Sequence, residues 1–172
     1  NYYWKVVAIK GDAQQDSDTW TFTFQDPIDY VNTLIGVGSV SGTGNDNQGF
    51  CYPAVCVPFG TTQWTPQGNV ETGSDFVPYQ GENFITGFRG SHFPPGSQMK
   101  DYGSVTINPQ AGALKTTADA RATLMVITKN SPDYFACTLK DNFDVGVEVT
   151  ATMHSGFFRL TYLGSGSVYV LI

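Results

Sequence analysis

The strongest constraint in this chain is a two-residue periodicity broken by Gly- and Pro-rich turns. Tyr2–Lys10 (YYWKVVAIK) and Thr19–Phe24 (TWTFTF) are rich in aromatic and β-branched residues, and the polar stretch Gly11–Asp18 lies between them. Side chains that alternate across a pleated strand give this pattern, so the two runs read as one hairpin. Further strands are predicted at Ala54–Val57, Thr62–Thr65, Thr86–Arg89, Ser104–Ile107, Ala122–Thr128, Tyr134–Leu139, Val145–Thr152, Phe157–Leu163 and Ser167–Ile172. Turn signals separate them at Gly42–Gly49, Pro66-Gln67-Gly68, Pro94-Pro95-Gly96, Asn108-Pro109, Ser131-Pro132-Asp133 and Gly164-Ser165-Gly166. The helix signal is confined to Pro27–Leu34, where Ile28, Val31 and Leu34 follow Asp26-Pro27. Many short strands with such turns and little helix predict an all-β fold, an antiparallel β-sandwich or barrel.

Composition narrows the function classes. Hydrophobic residues make up 41% of the 172, enough for the core of one ordinary domain, or one domain plus a fragment of another. Charged residues are only 14%, against ~25% in a usual globular domain. The surface is therefore built from Thr, Ser, Asn, Gln, Gly and Tyr, a palette common in extracellular β proteins and sugar-handling surfaces. With nine Lys plus Arg, a net charge of −6 and no basic run, the chain has little to pair with a phosphate backbone, which argues against nucleic acid as a partner. The longest apolar stretches, Ala54–Phe59 and Leu124–Ile127, are too short to span a bilayer. The expected location is secreted, extracellular or periplasmic.

Cys51, Cys56 and Cys137 form neither a disulfide framework nor a zinc motif. Cys51 and Cys56 could close a small loop around Tyr52-Pro53-Ala54-Val55, or both could be buried apolar residues. Asp12, Asp16 and Asp18, and the loop Gly42–Asn47, lack the spacing of an EF-hand loop and read as solvated turns. Trp4 and Trp20 are expected in the hairpin core. Both ends read as strands, which implies a chain cut from a larger protein or one whose terminal strands pair with another chain.

A resemblance sharpens this reading. Residues 1–25 resemble the last strands of a fibronectin type III-like or immunoglobulin-like module, with YYW-K-V-V-A followed by W-x-F-x-F. From Asp29 the chain resembles the N-terminal domain of the family 92 glycoside hydrolases. Asp29-Tyr30-Val31-Asn32-Thr33-Leu34-Ile35-Gly36 matches an opening V-N-P-F-I-G segment, with Thr33 where Pro is usual. Gly49–Ala54, Val57-Pro58-Phe59-Gly60 and Gln63-Trp64-Thr65-Pro66 match G-x-x-x-P-G, P-F-G and Q-x-S-P. Ile85–His92 matches I-x-G-F-x-x-x-H, and Asp101–Ile107 matches D-Y-G followed by a hydrophobic strand. Ser131–Phe135, Ala151-Thr152 and Gly156–Leu160 match S-P-x-Y-Y, T-A-T and G-x-H-R followed by an aromatic. Gly90 departs from the pattern, standing where many members carry another His, and Ala113–Lys129 lacks the usual acidic stretch.

The resemblance implies a domain over residues 26–172, a β-sandwich of the galactose-mutarotase-like supersandwich type, preceded by the terminal hairpin 1–25. It further implies a parent enzyme that is a calcium-dependent, inverting exo-α-mannosidase. There the sandwich packs on a C-terminal (α/α)6 barrel, with the site and a Ca2+ between them. An inverting glycosidase needs two carboxyls roughly 6.5–9.5 Å apart, and the resemblance assigns both to the barrel. The segment alone is thus expected to be inactive.

Candidate substrate contacts follow from residue chemistry. His92 sits in the loop after Gly87-Phe88-Arg89-Gly90-Ser91, where a side chain can meet a mannose hydroxyl or be satisfied by backbone. Arg89 and Asp101 flank that loop, and they could hold it as an ion pair or fork onto sugar hydroxyls. Trp64 and Phe93 offer rings for the C–H face of a sugar, with burial in the core as the alternative. Two other functions fit the same residues. One is a structural, filament-forming module assembled by strand donation from Tyr2–Ile9. The other is a stand-alone carbohydrate-binding module relying on Trp64 or His92.

Overall fold

A computed structural model of the chain describes residues 1–24, 26–37, 51–68, 84–91 and 105–172. The chain divides into two compact units, Asn1–Tyr30 and Val31–Ile172. In the first, β1 (Tyr2–Trp4) pairs with β4 (Trp20–Phe22), and β2 (Val7–Lys10) pairs with β3 (Ala13–Asp16). This is the expected hairpin, pinched where Val6 and Ser17 bond to each other between the two ladders. Its tip is a two-residue loop whose first position, Gly11, has φ 60. Hairpins that follow the strand twist need such a φ, and glycine adopts it without strain.

Across the ladder Tyr2 stacks on Phe22 at 5.2 Å, and Trp4 lies against Trp20 at 4.6 Å. The tryptophans are nevertheless 51% and 44% exposed, so they are not the core the sequence predicts. Within this unit the two-stranded ribbon has no second layer, and each ring covers its cross-strand neighbour. The predicted helix over Pro27–Leu34 contracts to a 3₁₀ turn at Pro27–Tyr30.

The second unit is built on strands β5 (Gln63–Gly68), β6 (Phe84–Ser91), β7 (Thr106–Ala111), β8 (Thr123–Ser131), β9 (Tyr134–Lys140), β10 (Asp144–Ala151), β11 (Gly156–Tyr162) and β12 (Val168–Leu171). One short helix, α1 (Ala118–Arg121), is capped by the Thr117 side chain and precedes β8. Among the described residues all pairings are antiparallel, and the eight strands join one sheet in the order β11-β10-β9-β8-β6-β7-β12, with β5 on the other edge of β6.

Strand β6 is the fork. On one side it pairs with β5 throughout; on the other, Phe84 and Ile85 pair with β8, while Phe88 and Arg89 pair with β7. Gly87 stands at the branch with φ 148, and a Cβ there would come within 2.8 Å of Thr106 and 2.9 Å of the Ile107 carbonyl. Only glycine lets the two wings approach this closely.

The sheet folds on itself at this fork into a sandwich. Phe88 meets Phe135 of β9 and Phe158 of β11 edge-on, at 6.3 and 6.0 Å. Ile85, Met125, Leu139, Val145, Val147 and Val149 fill the core between the wings. Cross-sheet packing of alternate apolar side chains is what the period-2 pattern demanded. Two segments read as turns lie inside strands instead. Pro66 is in β5, two residues from Trp64, whose backbone bonds outward to Val55. Its ring nitrogen therefore falls on the outer edge, where the β6 ladder needs no donor. Pro109 is in β7 beyond Ile107, the last residue of that strand to pair with β6.

Candidate functional site

The loop carrying most of the predicted contacts is rooted in β6 and β7. Gly90 donates to the Val105 carbonyl at 3.2 Å, so the chain leaves β6 and returns to β7 at adjacent points. His92, Phe93 and Asp101 lie outside the described residues, as does the Gly42–Asn47 loop. Arg89 is described, one turn of the pleat before the loop. It stands opposite Thr65 on β5 and Thr106 on β7 and is half-buried.

A polar ladder holds this face together. Arg89 Nη1 donates to Thr106 Oγ1 at 3.4 Å, and Thr106 Oγ1 donates to Gln67 Oε1 at 2.9 Å. Farther along, Asn108 Nδ2 donates to the Thr86 carbonyl at 2.9 Å, and Gln110 Nε2 donates to Asn108 Oδ1 and the Lys115 carbonyl. Thr65, Gln67, Thr86, Asn108 and Gln110 are all buried. Buried polar groups cost free energy unless paired, and here side chains from three strands pair one another. Neither Gln67 nor Thr106 was a site candidate in the sequence, because only the strand register joins them in a chain to Arg89.

Trp64 pairs with Gly90, adjacent in register to Arg89, but adjacent residues on a strand point to opposite faces. Its ring sits in the core at 8% exposure, edge-on to Phe158 at 4.9 Å and 81°. Arg89 and Trp64 are therefore not brought to one face. The Trp64 Nε1 is buried without a hydrogen-bond partner.

A second polar cluster lies on the outer face of the opposite wing. Arg159 Nε and Nη2 fork onto the two carboxylate oxygens of Glu148, and the Tyr134 hydroxyl donates to Glu148 Oε1. Lys129 Nζ stands 5.3 Å from the Tyr134 ring centre. The Arg159 guanidinium, and then the Tyr134 hydroxyl, hold the Glu148 carboxyl at about 2. The bond to Glu148 in turn raises the Tyr134 hydroxyl. Held this low, Glu148 serves here as a hydrogen-bond acceptor, the reverse of the raised pKa that a general acid uses. Just after β9, burial pushes Asp141 up, but the Ala111 N–H and the Lys115 ammonium outweigh it and lower the carboxyl.

Residues 30–172 match the family described as "Glycosyl hydrolase family 92 N-terminal domain". This chain belongs to that family. The chain is also similar to a solved structure of a family GH92 inverting mannosidase from Bacteroides thetaiotaomicron, at 29% identity and a TM-score of 0.71. The likeness covers 86% of this chain but 20% of that one, so the chain spans about a fifth of that relative's length. No match was found among the curated proteins.

The family 92 sandwich carries no metal centre among its described residues, where no three His, Cys, Asp or Glu side chains converge. Asp16, one of the acidic residues read as a solvated turn, pairs with Lys5 at 2.5 Å. No disulfide closes the loop between Cys51 and Cys56. No described helix is long and apolar enough to cross a membrane.

Proposed function

We propose that this family 92 domain is the non-catalytic N-terminal sandwich of a secreted α-mannosidase and forms one wall of its mannoside-binding cleft. The family match over residues 30–172 carries this reading. The β6–β7 loop is its contact with sugar: His92, Phe93 and Asp101 meet the glycan, and Arg89, oriented by Thr106 and Gln67, supports the loop root or forks onto a hydroxyl. Trp64 contributes by packing rather than by stacking on a sugar. The proton-transfer carboxylates belong to a C-terminal barrel, and the calcium lies between the two parts.

The test is steady-state kinetics of the full-length parent enzyme on an α-mannoside. Arg89→Met is expected to raise KM about tenfold or more with kcat little changed, the mark of lost binding that is equal in ground and transition states. Thr106→Val, which removes only the anchoring hydroxyl, should move KM in the same direction by less. Unchanged KM in both variants, or hydrolysis by residues 1–172 alone, refutes the assignment.

A further inference from the structure

The outer face of β9, β10 and β11 carries a groove of about 280 Å3 whose walls include Tyr134, Glu148, Thr150, Phe157 and Arg159. Along β11 the odd-numbered residues point away from the core, and there Phe157 stands two positions from Arg159 with 60% of its surface exposed. A phenyl ring on this face does nothing for the core, whose aromatics on this strand are Phe158 and Tyr162. The polar wall beside it is pre-organised. Glu148 accepts from Arg159 and Tyr134, which fixes all three side chains. The Arg159 side chain remains 74% exposed and spends two of its five N–H groups on the fork, leaving donors for a ligand.

Charge selects among ligands. Glu148 and Arg159 cancel each other, and among the described residues Lys129 beside Tyr134 and Asp133, whose carbonyl accepts from Thr150, add one charge of each sign. A neutral groove gives no reason to hold a phosphate or a polyanion. What it offers is a bare aromatic face next to directional donors and acceptors, in a volume at the small end of ligand clefts, ~300 Å3. A pyranose ring is the complement: one apolar C–H face and a rim of hydroxyls. The low, sharply set carboxyl of Glu148 keeps it a permanent acceptor across neutral pH.

We propose that this groove is a second glycan site, separate from the β6–β7 loop, that holds a neutral hexopyranosyl residue with Phe157 as its stacking platform and Arg159 as its hydroxyl-binding fork. It rests on the family reading only for the choice of probe. The experiment is affinity electrophoresis of the full-length protein in gels containing neutral α-mannan, together with kcat/KM on a small aryl α-mannoside. Phe157→Ala should weaken retention by mannan about three- to tenfold and leave kcat/KM and Tm unchanged. Phe157→Tyr should restore retention, and Arg159→Lys, which keeps the charge but loses the fork, should weaken it. Arg89→Met is the counter-control: it lowers kcat/KM if the loop reading holds and leaves kcat/KM unchanged if that reading alone is wrong, and in either case adding Phe157→Ala to it weakens retention further. Retention unchanged by both Phe157→Ala and Arg159→Lys overturns the proposal. So does a fall in kcat/KM or Tm with Phe157→Ala, which would make the ring part of the catalytic cleft or of a packed contact.

Discussion

Replacing Gly156 by alanine adds one methyl group at the start of β11. An ideal Cβ there falls 2.2 Å from Trp64 Nε1 and 2.6 Å from both Cδ1 and Cε2. Non-bonded contact needs ~3.5 Å, so the methyl group is about 1.3 Å too close. The indole has no easy retreat: it is 8% exposed, Phe158 meets it edge-on, and its backbone is bridged to Val55 in both directions. Overpacking of this kind costs about 1–3 kcal/mol, and contact with three ring atoms places the expected loss at the upper end, about 2–3 kcal/mol. On an ordinary strand the same change would stabilise by ~0.5–1 kcal/mol, because glycine loses more chain entropy on folding. The two accounts therefore differ in sign. Chemical denaturation of Gly156→Ala should show the loss, with Tm lower by about 4–12 °C. The double variant Gly156→Ala/Trp64→Phe should recover part of it, as contacting residues do in a double-mutant cycle. A neutral or stabilising Gly156→Ala, or strict additivity in the cycle, refutes the packing described.

Three further outcomes are expected. Burial pushes the Cys137 thiol up to about 12, so in the folded chain at pH 8 it should resist a thiol reagent and react only on unfolding; rapid native labelling would contradict its place in the core. The Glu148 carboxyl sits at about 2 in the fold against an ordinary 4.5, so the stability its ionisation adds is complete above pH 4.5 and fades as pH falls toward 2. A carbon-13 NMR titration should find that low midpoint, and Arg159→Met should return it toward the ordinary range. Asp141→Ala removes the acceptor for both the Ala111 N–H and the Lys115 ammonium and should cost about 2–3 kcal/mol in denaturation, whereas Asp133→Ala on an exposed turn should cost far less.

Strands were legible wherever alternation was clean, and β8 to β11 fall within a few residues of their predicted spans. The proline segments misled because the rule against proline in sheets concerns ladder donors, and which edge a nitrogen faces is decided by partners far along the chain. The predicted helix stopped early because short polar side chains captured the local amides. Asp26 Oδ1 accepts from Ile28, and Asn32 Oδ1 accepts from Leu34, a turn that competes with helical bonding. Helix α1 has only four residues and no room to display a period. For the site, Arg89 was visible as a charged residue beside a loop, but its partners Thr106 and Gln67 needed a register. Glu148 was invisible for the same reason: Tyr134, Glu148 and Arg159 are dispersed over three strands and meet only when those strands pair.

The sharing of one strand by both wings has a consequence for how this molecule opens. The β5 ladder, the Thr106–Ile107 end of β7 and the Thr123–Leu124 end of β8 all take β6 as their partner. Opening of β6 exposes all three segments at once. Their exchange in heavy water should therefore converge on a common slow rate, and one bulky substitution at Gly87 should accelerate all of them together.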